Sequence, residues 1–279
     1  MLSIGNAYGQ CNACDVMPCP GNELVDVWDW DAVPLSESNR FSSNRIRDMF
    51  VNSVYVDDNL PITNDVIAFT LEYNTLNVDG SALVTASGTV LVPIGYPCAA
   101  SPASSNCNLP WALYYKGTNV SGSTPSWAGE IPDGSGGTTM SVSGWDGFNF
   151  TFALALAANG YITVVPDYLG FGRNSLSGYH PYLHNDSEAQ AGIDLLYAAN
   201  EFLRRSPSEV LTNPTDTSGG YSICLPDTGQ QSELFVYGHS QGGQSTMSFI
   251  KKTASCSNFP FEVKASATVS GAMDAYFNS

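Results

Sequence analysis

Apolar and polar positions alternate along two stretches in the first third of the chain, which predicts a pair of β-strands. The stretches are VIAFTLEYNT (66–75) and ALVTASGTVLVP (82–93), and the turn-forming pair Asp79-Gly80 lies between them. This arrangement is typical of an antiparallel hairpin. A shorter apolar run, WALYYKGT (111–118), predicts a further strand that ends in a glycine.

Helical and strand-like segments alternate after this point. Residues 148–160 have helical character and end at Gly160, as helices often do. The apolar run that follows, at 161–172, predicts a buried strand that ends in a turn. Ser187 and Gln190 have the spacing of a capping box and predict the start of an amphipathic helix.

The last part of the chain predicts a strand at 233–237, a helix at 241–252 and a final strand at 264–273. A hairpin followed by alternating strands and helices indicates an α/β fold whose sheet is mostly parallel, with an antiparallel edge. Ligands of such sheets bind at the carboxyl ends of the strands. Residues 1–45 show little periodicity, so we expect an irregular N-terminal extension before a domain over 46–279.

The overall composition narrows the classes of function. The chain has 279 residues, of which 43% are hydrophobic, and this is enough for one sizeable domain. Its 26 acidic and 10 basic residues give a net charge of −16, which argues against nucleic acid and anionic membrane surfaces as partners. No apolar run reaches the length of about 20 residues that a membrane-spanning helix needs. The oligomeric state is not predicted.

The cysteine content and the low charged fraction both favour a secreted protein. There are seven cysteines, and only 13% of residues are charged. Cys98 and Cys107 bracket a small polar loop and are candidates for a disulfide, and Cys224 and Cys256 are the next candidates. The start, MLSIGNAYG, lacks the basic and apolar parts of a signal peptide, so we expect the beginning of that signal to be missing.

A metal site is not expected. Cys11, Cys14 and Cys19 include a CxxC spacing, but neither a second such pair nor a nearby histidine completes four zinc ligands.

The segment LFVYGHSQGGQSTMSF (234–249) carries the main chemical signal. Ser240 lies between Gly238 and Gly242, with a predicted strand before it and a predicted helix after it. This context is typical of a nucleophile elbow, a sharp turn that exposes the serine hydroxyl at a helix N-terminus. The alternative interpretation is an ordinary strand–helix turn that is rich in small residues.

Acyl transfer also needs hydrogen-bond donors for the oxyanion that develops on the substrate. The backbone N–H of Gln241, directly after the candidate nucleophile, is one candidate. The loop after the strand at 111–115 could supply the other, through the N–H groups of Gly117 and Thr118. The alternative is that this loop has no role in the reaction.

A nucleophilic serine needs a base, and the chain has three histidines. In an elbow, the side chain of His239 points away from the hydroxyl of Ser240. His180 and His184 follow a predicted strand end and are candidate bases, although histidines in such loops are more often anchors. Asp274, after the last predicted strand, is the candidate acid, and a capping or turn role is its alternative.

These stretches together resemble the α/β-hydrolase superfamily, and more narrowly the secreted lipase/esterase family of fungal lipase A and its bacterial relatives. The resemblance covers roughly residues 66–274. The matching stretches are ASGTVLVP (86–93), YYKGT (114–118), GYITVVPDYLGFG (160–172), HPYLHNDSEAQAGID (180–194) and VYGHSQGGQ (236–244).

The resemblance implies an α/β-hydrolase fold and a carboxylic ester hydrolase, an esterase or a lipase, that works through an acyl-enzyme on Ser240. It implies a small-molecule or lipid ester as substrate, no cofactor, and an oxyanion loop around Gly117. It also implies that Asp167, His180 and His184 hold loops in place. Members of the family often have histidine where this chain has Lys116, so the chain departs from them there.

The family continues past the last predicted strand with a cap and with strands that supply the acid and the histidine. We therefore expect this chain to be a fragment that lacks the C-terminal strands of the sheet and exposes one sheet edge. Three alternatives stay open. The chain could be a non-catalytic or degenerate hydrolase-fold binding protein, a serine peptidase of the same fold, or an enzyme that uses His180 or His184 as its base.

Overall fold

The structure is a computed structural model. It describes residues 24–28, 40–51, 62–94, 108–118, 130–132, 138–140, 144–172, 180–205, 225, 230–254 and 259–271. The helices within these ranges are α1 (Ser43–Val51), α2 (Gly144–Ala158), α3 (Asn185–Arg205) and α4 (Gln241–Thr253). The strands are β1 (Leu24–Trp28), β2 (Arg40–Phe41), β3 (Asp65–Leu76), β4 (Leu83–Ile94), β5 (Trp111–Tyr115), β6 (Glu130–Pro132), β7 (Thr138–Met140), β8 (Ile162–Pro166), β9 (Ser232–His239) and β10 (Phe261–Val269).

One mixed sheet organises the described part of the chain. Its strand order is β1-β3-β4-β8-β5-β9-β10, with β2 also paired to β3, while β6 and β7 pair separately. The strands β8, β5, β9 and β10 are mutually parallel, and the pairs from β1 to β8 are antiparallel. The predicted α/β class, with a parallel part and an antiparallel edge, is therefore confirmed.

The predicted hairpin is formed by β3 and β4. The two strands pair over their full length, from Asp65 opposite Ile94 to Leu76 opposite Leu83. In the turn, Gly80 has a φ of 68°, a conformation that costs glycine little because it has no Cβ. The backbone N–H of Ser81 donates to the side chain of Asn77 at 2.9 Å. Turn chemistry and strand patterning therefore specify the same register.

The N-terminal region differs from the sequence expectation. Between residues 24 and 41, β1 and β2 pair with the outer side of β3, where the sequence predicts no regular structure. Each strand is too short for its alternation to stand out among turn-forming neighbours. The proposed boundary between an extension and a domain at residue 46 stays a prediction.

Helices cover both faces of the sheet, because alternate residues of each strand point to opposite sides. On β5, Trp111, Leu113 and Tyr115 pack on the side of α3 and α4. The intervening Tyr114 packs on the side of α1 and α2. Because β8, β5 and β9 are parallel neighbours, their carboxyl ends lie at one rim of the sheet.

The outer edge strand, β10, is unusually open. Phe261 is buried, whereas most of the strand after it is exposed, and Val269 is 45% exposed. Among the described residues, β10 pairs with β9 alone. An accessible strand of small and β-branched residues can template pairing with another strand.

None of the helices in the described ranges combines the length and the apolar composition needed to cross a bilayer. The same part of the chain contains no cluster of three or more histidine, cysteine or acidic side chains that could hold a metal ion. All seven cysteines lie outside the described residues, and so do the disulfides considered for them.

Candidate active site

Ser240 joins β9 to α4 in a strained conformation. Its φ is 55° and its ψ is −120°, a combination that is unfavourable for any residue with a Cβ. Hydrogen bonds on both sides hold this geometry. The N–H of Ser240 donates to the carbonyl of Val269 at 2.8 Å, and its carbonyl accepts the N–H of Gly243 at 2.9 Å. Strain that is maintained in this way is typical of functional positions.

The two glycines of the motif allow the helix to cross close to the sheet. A Cβ on Gly238 would overlap the carbonyl oxygen of Gly242. A Cβ on Gly242 would in turn overlap the carbonyl of Tyr115 at the end of β5. Any larger residue at either position would push α4 away from the strands beside it.

Gln241 begins α4, so its backbone N–H belongs to the first helical turn, whose N–H groups have no acceptor within the helix. The partial positive charge of the helix N-terminus adds to the effect of this donor. The side chain of Gln241 is buried and points elsewhere: Nε2 lies 2.6 Å from Glu188 Oε1 and 2.8 Å from His180 Nε2.

The loop after β5 packs directly against the residue that precedes Ser240. A Cβ on Gly117 would lie 3.1 Å from Nδ1 of His239, so the imidazole of His239 is placed under this loop. The N–H of Gly117 donates to Asn149 Oδ1 at a long 3.4 Å, and the hydroxyl of Tyr114 donates to the same oxygen at 2.7 Å. Because the N–H of Gly117 is already directed at Asn149, it is less available to an oxyanion than the sequence predicted. The N–H of Thr118 is therefore the better candidate for the second oxyanion donor.

His180 is held by both of its ring nitrogens. Its Nδ1 lies 2.9 Å from the carbonyl oxygen of Leu169, which can only accept, so Nδ1 carries the proton. Nε2 therefore accepts from the side-chain amide of Gln241. The ring also packs 4.3 Å from the ring of Phe171, and burial lowers the pKa of His180 below its ordinary value. These contacts favour an anchoring role over that of a base for Ser240.

His184 lies at the start of α3. Its Nδ1 is 3.0 Å from Ser187 Oγ and accepts the N–H of Ser187 at 3.3 Å. The helix begins at Asn185, so the predicted start at a Ser187 capping box is wrong. His184 performs the capping instead, because its ring nitrogen reaches an N–H of the first turn that has no partner within the helix.

A buried ion pair joins the ends of β5 and β8. Lys116 Nζ lies 3.4 Å from Asp167 Oδ1, and both side chains are at most 1% exposed. Ser87 donates to the other carboxylate oxygen of Asp167 at 2.6 Å. The ammonium of Lys116 also lies 5.6 Å from the ring centre of Phe171. Lys116, at the position where the chain departs from its resemblance, therefore ties the candidate oxyanion loop to the neighbouring strand.

Glu188 is a residue of this site that the sequence interpretation missed. A carboxylate in the first turn of a helix is usually exposed and interacts with the helix dipole. Here it is 1% exposed and faces α4. Burial raises the pKa of Glu188, and its hydrogen bonds from Ser245, Gln241 and Leu183 oppose that shift. Helical spacing was the available signal, since Glu188 shares a face with the buried residues Ala191 and Leu195.

The structure thus brings together Ser240, Gln241, the Gly117–Thr118 loop and His180 at one rim. His184 lies at the start of α3, and Gln244 of α4 reaches the adjacent loop by donating to the carbonyl of Leu183 at 3.3 Å. Asp274, the candidate acid, lies outside the described residues.

No family model and no curated protein matches this chain by sequence. Solved structures do match it. A Legionella pneumophila protein named as a candidate hydrolase is 26% identical, with a TM-score of 0.62 over 89% of this chain and 52% of its own. The rice cell wall degrading esterase LipA of Xanthomonas oryzae, in a ligand-bound form, is 25% identical, with a TM-score of 0.60 over 90% and 50%.

Lipase A of Candida antarctica also aligns, at 14% identity and a TM-score of 0.47 over 88% of this chain and 41% of its own. The chain spans about half the length of the two bacterial structures. Their similarity confirms the α/β-hydrolase fold and the likeness to bacterial esterases of this kind that the sequence indicated.

Proposed function

We propose that this chain, which has an α/β-hydrolase fold, carries the nucleophile of a serine hydrolase that cleaves carboxylic esters. The conformation of Ser240 carries the proposal, because a serine held at a φ of 55° between a strand and a helix has a conformational cost that is typical of functional positions. The 25% identity to an esterase over 90% of the chain supports an ester as the substrate class.

In the proposed reaction, Ser240 Oγ loses its proton to a base and attacks the ester carbonyl carbon. The carbonyl oxygen becomes an oxyanion, which accepts hydrogen bonds from the backbone N–H groups of Gln241 and Thr118. As this intermediate collapses, the base returns its proton to the leaving oxygen, so that the alcohol departs and an acyl group stays on Ser240. The base then takes a proton from water, which attacks the acyl group and releases the acid. Loss of one such donor lowers kcat by about 10²–10³-fold in well-studied hydrolases.

None of the three histidines of this chain is a good candidate for the base, because each of them is placed elsewhere by its own contacts. His239 lies under the oxyanion loop, His180 bonds Gln241 and Leu169, and His184 caps α3. We infer that the base is encoded beyond Ser279, with Asp274 as one candidate for the acid. Reading the gene past the codon for Ser279 tests this: a stop codon at that point would contradict the inference.

The decisive experiment uses the gene product expressed as far as its own stop codon. We expect a fluorescent alkyl phosphonate ester to label it covalently, because such reagents trap activated serines. Ser240→Ala should abolish the labelling. Ser248→Ala, a change to a buried serine on the same helix, is the matched control and should label normally. Labelling that survives Ser240→Ala would overturn the assignment.

A non-catalytic binding protein is the second candidate, and the engagement of all three histidines favours it. This alternative predicts a folded gene product that no phosphonate labels. A serine peptidase of the same fold would be labelled as well, and it would differ in cleaving an amide at a rate comparable to the matching ester.

Secretion is also a proposal. Its support is the low charged fraction, the seven cysteines and the cell-wall substrate named for the Xanthomonas relative. We expect the gene product to be found in the culture medium of its source organism. Retention of the folded protein inside the cell would contradict this.

A further inference from the structure

The carboxylate of Glu188 links segments that surround Ser240. Its Oε1 accepts the backbone N–H of Leu183 at 3.0 Å and the side-chain amide of Gln241 at 2.6 Å. Its Oε2 accepts the hydroxyl of Ser245 at 2.6 Å. Since the side chain is almost completely shielded from water, these three donors are its hydrogen-bonding environment.

Two of the donors belong to the first two turns of α4, and from there the contacts continue to β5. Ser245 Oγ lies 3.5 Å from the hydroxyl of Tyr168, and that hydroxyl donates to the carbonyl of Lys116 at 2.9 Å. Lys116 immediately precedes Gly117. The contacts therefore reach from the residue after the nucleophile to the base of the candidate oxyanion loop.

The third donor belongs to the loop between 180 and 184. Leu183 has a φ of 60°, and Glu188 holds its N–H in that unusual conformation. One residue earlier, the hydroxyl of Tyr182 lies 3.2 Å from Thr118 Oγ1. Glu188 thus also supports the segment that contacts Thr118, the other candidate donor.

We propose that Glu188 is a positioning residue that fixes the backbone N–H groups of Gln241 and Thr118 where the oxyanion forms. This inference rests on the proposed function. Glu188 does not touch the substrate; it acts through Gln241, Ser245 and the loop at 180–184. Oxyanion stabilisation depends on donors that are already oriented, and a displacement of about 1 Å can cost on the order of 10²-fold in rate.

A purely structural role is the competing explanation, and the same helix supplies its control. Asp194 lies six residues after Glu188 and is equally buried. Its carboxylate accepts hydrogen bonds from Thr75 at 2.6 Å and Gln190 at 2.9 Å, both of which lie outside the elbow and the oxyanion loop. Replacing the carboxyl group of Asp194 by an amide therefore perturbs α3 at a point away from the contacts around Ser240.

The test compares Glu188→Gln with Asp194→Asn in the gene product expressed as far as its stop codon. For a small neutral ester, we expect Glu188→Gln to lower kcat by about 30-fold with KM within about twofold of wild type. The Ki of an alkyl boronic acid, whose adduct occupies the oxyanion site, should rise by a similar factor. Asp194→Asn should leave kcat and Ki within about twofold of wild type. If the carboxylate of Glu188 only stabilised α3, the two variants should instead show similar losses.

A milder pair of variants covers the case in which Glu188→Gln fails to fold. Ser245→Ala removes one donor of Glu188, and Thr253→Ala is its match on the same helix. Both hydroxyl oxygens also lie close to the carbonyl four residues earlier, at 3.1 Å for Ser245 and 2.9 Å for Thr253. We expect a fall in kcat and a rise in Ki of about fivefold for Ser245→Ala and no change for Thr253→Ala.

Unchanged kcat and Ki in the folded Glu188 or Ser245 variant would overturn the inference, as would equal losses in the matched control. The failure of the proposed function is distinguishable from these results. A wild-type protein that does not react with the phosphonate overturns both proposals, whereas a reactive wild type with unaffected variants overturns only the role of Glu188.

Discussion

The two helical layers cover the same sheet but differ in what they bury. On the side of α1 and α2, the core consists mainly of aliphatic and aromatic side chains such as Ile46, Phe150 and Leu154. On the side of α3 and α4, two carboxylates and three glutamines are buried along with the apolar core: Glu188, Asp194, Gln190, Gln241 and Gln244. Among residues with described side chains, α1 and α2 bury no carboxylate.

This difference separates the contacts that stabilise the fold from those that fix the direction of individual groups. Apolar burial stabilises a fold without fixing the direction of any one group. Buried polar groups cost free energy unless hydrogen bonds satisfy them, and those bonds define directions. The layer that carries the elbow therefore combines packing with directional contacts, whereas the opposite layer mainly packs.

The largest expected effect tests the closeness of α4 to the sheet. Gly242→Ala should cost about 3 kcal/mol or more of unfolding free energy, because the new Cβ would overlap the carbonyl of Tyr115. Gly80→Ala is the control: its Cβ meets open space, and its positive φ alone should cost roughly 1–2 kcal/mol. Urea unfolding measures both, and equal losses would contradict the close crossing.

The next effect tests the buried carboxylates through pH. Burial raises the pKa of Asp194 from 3.8 to about 7, against the opposing hydrogen bonds from Thr75 and Gln190. Between these values the folded state keeps a proton that the unfolded state has lost, so stability should fall as pH rises from 4 to 7. Since one pKa unit corresponds to about 1.4 kcal/mol, the fall should amount to a few kcal/mol.

Asp194→Asn should remove that component of the pH dependence, as followed by urea unfolding at a series of pH values. If the variant and the wild type lose the same amount of stability between pH 4 and pH 7, Asp194 does not titrate as its environment indicates. The described side chains of α1 and α2 include no buried carboxylate, so neither of these helices is expected to contribute such an effect.

The smallest effect compares the apolar packing of the two layers directly. Ile46 on α1 and Ile193 on α3 are both almost fully buried. Replacing either by valine removes one methylene group and should cost about 1 kcal/mol, with unchanged phosphonate labelling per folded molecule. A slower labelling rate for Ile193→Val alone would show that packing under α3 also affects the geometry of the elbow.

Much of this architecture was predictable because the signals are local. The hairpin strands are 12 residues long and have a turn between them, and the elbow glycines are required by contacts within one strand–helix unit. Short β1 has no comparable signal. The start of α3 was misplaced because Ser187 has the spacing of a capping box, while the ring of His184 occupies the capping position.

The finer features of the candidate site depend on contacts between distant parts of the chain. The direction of the Gly117 N–H is set by Asn149, 32 residues away. The role of Glu188 depends on α4, which approaches it from more than 50 residues further along the chain. No short window of sequence around Gly117 contains Asn149, and none around Glu188 contains Gln241 or Ser245.

The strained backbone of Ser240 also bears on how this protein could evolve. A residue with a Cβ at that φ and ψ costs about 1–3 kcal/mol, whereas glycine would adopt the same angles with little strain. A lineage that no longer needed the hydroxyl would gain stability through Ser240→Gly, a single substitution. The proposed function therefore predicts that active relatives keep serine at this position, and that glycine replaces it in relatives that have lost the activity.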